Sequence, residues 1–271
     1  ENRWASGGLS PYYAFTDSLL DMESNRTLAD FAREKIRERI HDPVIAEKMC
    51  PDYPILTRRL SPETDYLEAF NQPNVELVDL NERPISRFTS TGIVVGDTEI
   101  ELDAVIFATG FDVMTGAMDR IDIRGRDAEA LKNRWAERLT SHLGMMTHGF
   151  PNLFWINGPH SPFYNPILLA EFQCDFITDL ITDMSSQELD VLEADATAED
   201  QYVQLTNNIG NSTLYPESEN YYMGDNIPGK ARATLFWFGG FPFYRKQCRL
   251  AREEWAGFQV GSLSEGNERA S

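Results

Sequence analysis

A short apolar segment near the middle of the chain constrains the fold more than any other part of the sequence. Residues 104–107 form a continuous apolar run with two β-branched side chains, which is typical of a strand buried on both faces of a sheet. The run ends in Ala108-Thr109-Gly110, and such small residues let a second backbone or a flat ligand approach closely. The segment therefore predicts either a core strand with a tight turn or a strand that ends at a ligand.

The sequence on both sides of this segment mixes helical and extended patterns. Apolar residues recur at three- and four-residue steps from Arg26 to Ile40, which predicts a helix with Asn25 as its N-cap. Asp42-Pro43 predicts the start of a second helix. Period-two and apolar runs predict strands at 75–80, 85–89, 93–95, 99–102, 152–156 and 235–238, and further helices are predicted at 128–143, 166–184, 198–209 and 243–254. This mixture predicts an α/β fold.

The net charge of −19 makes nucleic acid and anionic membranes poor partners. The charge is uneven, because the stretch from Asp183 to Asp200 holds seven acidic residues and no basic one. A solvated face is the first interpretation of this stretch, and a contact surface for a basic partner is the alternative.

Cysteine and histidine usage predicts no metal site and no disulfide framework. The three cysteines are far apart without a C-x-x-C pair, and the four histidines lack metal-ligand spacing. No apolar run is long enough to span a bilayer, and no secretory signal opens the chain. We therefore expect reduced thiols and a cytoplasmic location. The first residue is Glu1, which suggests a processed, trimmed or split polypeptide, or an artificial boundary.

The sequence lacks every common phosphate-binding turn. No two glycines are spaced as G-x-G, so neither a G-x-G-x-x-G motif nor a Walker loop is present. A G-x-S-x-G elbow and an H-E-x-x-H motif are absent as well. The predicted strands thus end as if at a cofactor, but the chain has no turn to bind the phosphates of that cofactor. This is the pattern expected of the second half of a nucleotide-binding sheet.

Eight segments, taken in order, resemble the C-terminal half of Baeyer–Villiger monooxygenases, which are class B flavoprotein monooxygenases. A-T-G-F-D alone is shared with flavin-dependent N-hydroxylases, whereas the whole series, within about 3–258, is specific. The segments are D-Y-P-I-L-T-R-R-L at 52–60, Y-L-E-A-F-N-Q-P-N-V-E-L-V-D at 66–79, L-D-A-V-I-F-A-T-G-F-D at 102–112, I-D-I-R-G at 121–125, P-N-L-F-W-I-N-G-P at 151–159, T-L-Y-P at 213–216, N-I-P-G-K at 226–230 and G-G-F-P-F-Y-R at 239–245.

The resemblance implies the C-terminal half of a flavoprotein with two dinucleotide-binding, Rossmann-like domains and helical insertions. Its implied parts are a helical NADP-side segment at 1–56, the end of the NADP domain at 57–108, the C-terminal part of the FAD domain at 109–258 with a helical insertion at 113–147, and a flexible tail at 259–271. A complementary N-terminal-half chain must then supply the glycine motifs.

The resemblance also implies an activity. With FAD and NADPH, such an enzyme inserts one oxygen of O2 next to a ketone carbonyl through a C4a-peroxyflavin and yields an ester or lactone. Two alternatives stay open: a non-catalytic remnant or structural half, and a related flavin monooxygenase that oxidises nitrogen or sulfur.

Arg59 matches the catalytic arginine of the family, whose permanently charged guanidinium stabilises the peroxide anion and the adduct that follows. Arg58 stands where the family commonly has a lysine associated with the NADP 2′-phosphate, and solvent exposure is the alternative. Leu56 departs from a frequent glycine, which could alter the path of the loop. Tyr221 stands where many members have a tryptophan that hydrogen-bonds NADP, and core packing is the alternative.

The remaining expected site residues follow from the same resemblance. Residues 158–168 should lie against the isoalloxazine, with the amino end of the helix from Pro166 near the flavin pyrimidine. Further cofactor contacts are expected from Thr109, Gly110, Gly158, Pro159, Asn165, Ile167 and Lys230, and a substrate pocket is expected from His160, Phe163 and Tyr164. Half a sheet exposes strand edges and apolar faces, so we expect the isolated chain to aggregate.

Overall fold

The computed structural model describes residues 2, 7, 10–13 and 15–262. The chain divides into two compact units, Glu1–Gly110 (unit 1) and Phe111–Ser271 (unit 2). Among the described residues, no helix combines the length and the apolar character needed to cross a membrane.

Unit 1 begins with helices. Helix α1 spans Met22–Arg39, α2 spans Pro43–Met49 and α3 spans Tyr66–Ala69. Asp42 caps α2 as predicted, because its carboxylate accepts the Val44 N–H at 2.8 Å. The predicted cap of α1 is wrong: Asp21 is the N-cap and accepts the Ser24 N–H at 2.8 Å. Asn25 lies inside α1, because its side chain binds a different segment of unit 1.

A three-stranded antiparallel meander follows. Strands β1 (Ile85–Phe88), β2 (Gly92–Val95) and β3 (Thr98–Glu101) pair in the order β1-β2-β3. They confirm the predicted strands at 85–89, 93–95 and 99–102. The predicted strand at 75–80 is absent, since these residues enter no ladder among the described strands.

The central apolar segment differs from its prediction. Residues 104–107 form no strand, and all residues from 101 to 110 are exposed. Ile106 is 91% exposed and Phe107 is 66% exposed. A strand is held by hydrogen bonds to its neighbours, and the described part of the chain gives this segment none. The prediction of a buried strand is therefore wrong for this chain by itself.

Unit 2 is mainly helical. Helix α4 spans Leu131–Glu137, α5 spans Pro166–Ser186, α6 spans Ala196–Asn211 and α7 spans Phe241–Arg252. Helices α5, α6 and α7 confirm the predicted helices. Helix α4 is much shorter than the predicted 128–143, because the backbone turns extended at Arg138 and then forms a buried turn with a bridge between His142 and Met146.

Strands β4 (Val191–Ala194) and β5 (Phe258–Gly261) form an antiparallel pair. The predicted flexible tail is therefore corrected at its start, because residues 259–261 pair with β4; residues 263–271 lie outside the described residues. The predicted strands at 152–156 and 235–238 are not formed as ladders, and only a single bridge joins Trp237 to Pro162 there.

The core of unit 2 is aromatic. Its main cluster contains the fully buried Leu180, Trp237 and Tyr244, and the Trp237 ring stacks on Tyr202 at 5.4 Å. Short 3₁₀ helices complete the described chain at Ser10–Tyr13, Met118–Arg120, Arg126–Ala128, Tyr215–Glu217, Tyr221–Met223 and Glu253–Trp255.

The acidic stretch is not a simple solvated face. Glu193 and Glu199 are buried and pair with Arg126 at 3.1 Å and Arg134 at 3.2 Å. Asp195 caps α6. The sequence suggested a solvated face because the pairing arginines lie more than 60 residues away in the chain, which local composition does not show.

Candidate functional site

Arg58 and Arg59 of unit 1 follow a buried loop base. Residues 55–57 are buried, whereas Arg58 and Arg59 are exposed. The Arg58 guanidinium lies 4.2 Å from the centre of the Tyr53 ring, a cation–π contact. Within the described part of the chain, no ion pair includes Arg59. The loop thus presents two cationic groups at its surface.

Leu56, which stands where the family often has glycine, keeps the backbone conformation that glycine favours. Its φ is 72°, which is the left-handed conformation that glycine favours. The side chain is 1% exposed and packs with Leu28 and Ile55. Left-handed backbone costs a leucine about 1–2 kcal/mol, which burial of the side chain offsets. The loop therefore keeps a glycine-type backbone with leucine at this position.

Thr109 and Gly110 lie at the end of unit 1. Both are exposed, and Gly110 has a φ of 84°. Their expected cofactor contacts stay predictions.

In unit 2, a buried polar network holds the loop that precedes α5. The Gln173 Oε1 atom accepts the Asn157 N–H at 2.7 Å, and Gln173 Nε2 donates to Ser161 Oγ at 3.1 Å and Tyr244 Oη at 2.9 Å. Tyr244 Oη in turn donates to the Leu143 carbonyl at 2.8 Å. One glutamine side chain thus fixes both ends of the 157–161 turn.

This loop is strained and densely packed. Asn157 and His160 have positive φ values of 53° and 64°, and such strain persists only where the surroundings fix the backbone. A Cβ at Gly158 would lie 1.9 Å from Trp155 Nε1, so only glycine fits. Gly158 and Pro159 are buried. Both residues thus lie in the interior of unit 2, and their expected cofactor contacts stay predictions.

His160 is buried inside unit 2, and its expected place in a substrate pocket stays a prediction. Its side chain is 1% exposed, and Nδ1 lies 3.0 Å from Ser141 Oγ. Burial lowers the pKa of His160 to about 4, so the ring is neutral at physiological pH. The Tyr202 hydroxyl donates to the His160 carbonyl at 2.9 Å. The residue therefore shapes the loop from within.

The amino end of α5 carries an exposed apolar surface. Asn165 Oδ1 accepts the N–H groups of Ile167 at 3.0 Å and Leu168 at 3.2 Å, so this side chain caps the helix. The neighbouring Phe163 and Tyr164 are exposed, as are Ile167 and Leu168. This stretch, residues 163–168, is the part of the predicted flavin segment that a ligand can reach.

Two further predicted residues have contacts inside unit 2. Tyr221 is half-buried and its ring contacts Tyr222 at 4.1 Å. The Lys230 ammonium pairs with Asp112 and donates to Thr115 Oγ1 at 2.9 Å and to the Val113 carbonyl at 3.4 Å. An ammonium has three donors, so the structure gives Lys230 a role in anchoring the first residues of unit 2.

Three known proteins show what this chain is similar to. Cyclopentanone 1,2-monooxygenase of Comamonas sp. (strain NCIMB 9872) is 38% identical over 269 residues, which cover 97% of this chain and 49% of that protein. Phenazine N-monooxygenase PhzNO1 of Lysobacter antibioticus is 36% identical over 266 residues, with the same two coverages of 97% and 49%. The solved structure of OTEMO in complex with FAD and NADP matches with 38% identity and a TM-score of 0.87, covering 91% of this chain and 46% of that one. No protein-family model matches the chain.

This chain is a homologue of the Baeyer–Villiger monooxygenases. The resemblance and the α/β flavoprotein fold class predicted from the sequence are confirmed. The chain spans about half the length of the curated relatives it matches.

The buried contacts of two polar residues, Gln173 and Asn25, were not predicted from the sequence. Gln173 interrupts the apolar face of α5 between Leu169 and Phe176, and Asn25 interrupts that of α1 before Leu28. A polar residue on an otherwise apolar helix face is a signal that its side chain binds buried backbone. The sequence does not show which backbone that is.

Proposed function

We propose that this chain is the C-terminal half of an FAD- and NADPH-dependent Baeyer–Villiger monooxygenase that converts a ketone to an ester or lactone. The observation that carries this proposal is the exposed Arg59 on a buried loop base, within a sequence that matches such enzymes along 97% of its length. The chain contains no phosphate-binding glycine motif. The activity therefore requires the half that supplies those motifs, whether on the same polypeptide or on a second chain.

The exposed surface at the amino end of α5 fits one side of a flavin. Phe163, Tyr164 and Ile167 offer flat or apolar contacts to a ring, and the positive end of a 21-residue helix favours negative charge nearby. Bound FAD, once reduced by NADPH, would activate the O2 that provides the inserted oxygen. The phosphates of both cofactors are held elsewhere, apart from a contact that we assign to Arg58, whose planar fork suits a phosphate.

Arg59 supplies a fixed positive charge to the reaction. A guanidinium stays protonated at any working pH and stabilises negative charge that develops on oxygen. Since no described ion pair neutralises Arg59, its charge is available to substrate and cofactor. A carboxylate partner would remove this advantage.

The exposed stretch 101–110 supports the need for a complementary half. Ile106 and Phe107 point large apolar surfaces to solvent, in a segment whose composition suits a buried strand. Soluble proteins rarely leave such segments uncovered. Strands of the complementary half would cover it.

The test is to produce this chain with its complementary half, which together we call the complete enzyme. A yellow complex that consumes NADPH and forms an ester or lactone from a cyclic ketone supports the proposal. Arg59→Ala should lower ketone oxidation by at least about a hundredfold, whereas Arg58→Ala should mainly raise the KM for NADPH. A colourless mixture, or full activity of the Arg59→Ala variant, contradicts the proposal and favours a non-catalytic half.

The relative that is named a phenazine N-monooxygenase favours nitrogen oxygenation as a second candidate. Competition between a cyclic ketone and an aromatic N-heterocycle in one reaction, followed by mass spectrometry of the products, separates the two. An N-oxide as the dominant product would replace the ketone proposal.

A further inference from the structure

A buried asparagine holds the base of the arginine loop. Asn25 is 1% exposed and lies in the first part of α1. Its Oδ1 atom accepts the Ile55 N–H at 3.0 Å, and its Nδ2 atom donates to the Ile55 carbonyl at 2.8 Å. Nδ2 also donates to the Ser18 carbonyl at 2.7 Å. One side chain thus binds both backbone groups of a residue 30 positions away.

Burying a carboxamide among apolar side chains is costly unless its hydrogen bonds are made. Asn25 shares its helix face with Leu28, Ala29 and Ala32, which form the core of unit 1 with Ile55. The three bonds satisfy both amide protons and the carbonyl oxygen. Aspartate lacks the donors, and glutamine is one methylene longer. The site is therefore specific for asparagine.

We call the hydrogen bonds between Asn25 and the Ile55 backbone the clamp. The loop becomes exposed three residues after Ile55. Leu56 and Thr57 are buried, and the Thr57 hydroxyl donates to the Pro54 carbonyl at 2.6 Å. Leu56 needs such support, because its left-handed backbone is unfavourable for a leucine. Arg58 and Arg59 follow at once and are exposed. The direction of both arginines is thus set by a backbone that Asn25 holds.

We propose that Asn25 is the positioning residue of the arginine loop. Its clamp on the Ile55 backbone gives Arg59 a rigid base. This inference rests on the proposed function, which gives Arg59 its role. It adds a residue of α1 that is 34 positions before Arg59 and does not contact the reactants.

Asn25→Leu tests the clamp in the complete enzyme. Leucine keeps the volume and the helix but leaves both Ile55 backbone groups without their partner. Hydrogen exchange of the Ile55 and Thr57 amides, followed by mass spectrometry, should become at least about tenfold faster. Tryptic cleavage after Arg58 and Arg59 should accelerate with it, while the kcat for the ketone falls by about ten- to a hundredfold.

The matched control is Leu28→Ala, a cavity in the same core that leaves the clamp intact. This variant should lower thermal stability and speed amide exchange throughout α1. Its kcat, and the ratio of the exchange rate at Ile55 to that of the α1 amides, should stay close to wild type. The inference is overturned if Asn25→Leu exchanges at Ile55 like wild type, or if both variants lower kcat in proportion to their loss of stability. Full activity of Arg59→Ala would refute the proposed function, and the exchange data would then still decide the clamp.

Discussion

Replacing His142 with leucine should make unit 2 less sensitive to acid. His142 is 3% exposed, and neither ring nitrogen makes a hydrogen bond of normal geometry among the described residues. Burial lowers the pKa of His142 to about 4, and the nearby Asp195 carboxylate and Ala198 backbone oppose only part of this effect. An unfolded histidine has a pKa of about 6.5.

The sign of the effect follows from proton binding. Between about pH 6.5 and pH 4 the unfolded chain binds a proton that folded His142 does not bind, so stability falls as the pH falls through this range. At pH 5 the loss from this residue is about 2 kcal/mol. For a unit of this size it corresponds to a fall of about 4–8 °C in Tm. His160, whose pKa is lowered in the same way, adds a similar loss.

The measurement is thermal unfolding of the complete enzyme, followed by tryptophan fluorescence at pH 7.5 and pH 5. His142→Leu loses no hydrogen bond of the ring, so its Tm at pH 7.5 should be close to wild type. Its fall in Tm toward pH 5 should be smaller than that of wild type by about 4–8 °C. Leu143→Ala is the control, because it opens a core cavity whose cost is the same at both pH values. Equal falls in wild type and His142→Leu would refute the reasoning.

Three further substitutions have defined outcomes. Leu56→Gly relieves the left-handed backbone but loses a buried side chain, so it should destabilise unit 1 by about 2 kcal/mol in thermal unfolding. Arg134→Leu leaves the buried Glu199 without its cation and should cost about 3 kcal/mol in the same assay. Ile106→Asp puts a charge on the most exposed apolar side chain of stretch 101–110 and should abolish co-purification with the complementary half.

Controls for these substitutions lie in the same chain. Arg138→Leu breaks an exposed pair with Asp200 and should cost less than about 1 kcal/mol; equal losses for the two arginines would contradict the distinction. Val44→Asp changes an exposed side chain outside the stretch and should leave co-purification intact. A Leu56→Gly variant more stable than wild type would show that backbone strain outweighs burial at this position.

The sequence predicted elements whose signals are local. Asp42-Pro43 and Asn165-Pro166 mark helix starts because a cap and its N–H groups are neighbours in the chain. The meander was predictable from its turns and its period of two. The family resemblance pointed to Arg58 and Arg59, whose side chains are exposed in the structure.

The remaining features depend on distant partners. Asn25 was mistaken for a cap because its true acceptor and donor, Ile55, lies 30 residues away. The burial of His160 was not predicted, because a glycine- and proline-rich loop gives no sign of which side chains turn inward. The strand at 104–107 needs neighbours that the described chain does not provide, so composition alone predicted burial where the structure shows exposure.

Because stretch 101–110 is exposed, the stability of this chain should depend on the concentration of the strands that cover the stretch. If the covering strands belong to the same polypeptide, their effective concentration is high and constant, and the protein tolerates dilution. If the covering strands belong to a second chain, the unfolding temperature of the two-chain complex rises with protein concentration by mass action. An excess of this chain would then be recognised by chaperones and proteases through its exposed apolar stretch 101–110. A dilution series thus reveals how the two halves are encoded without any knowledge of the ketone.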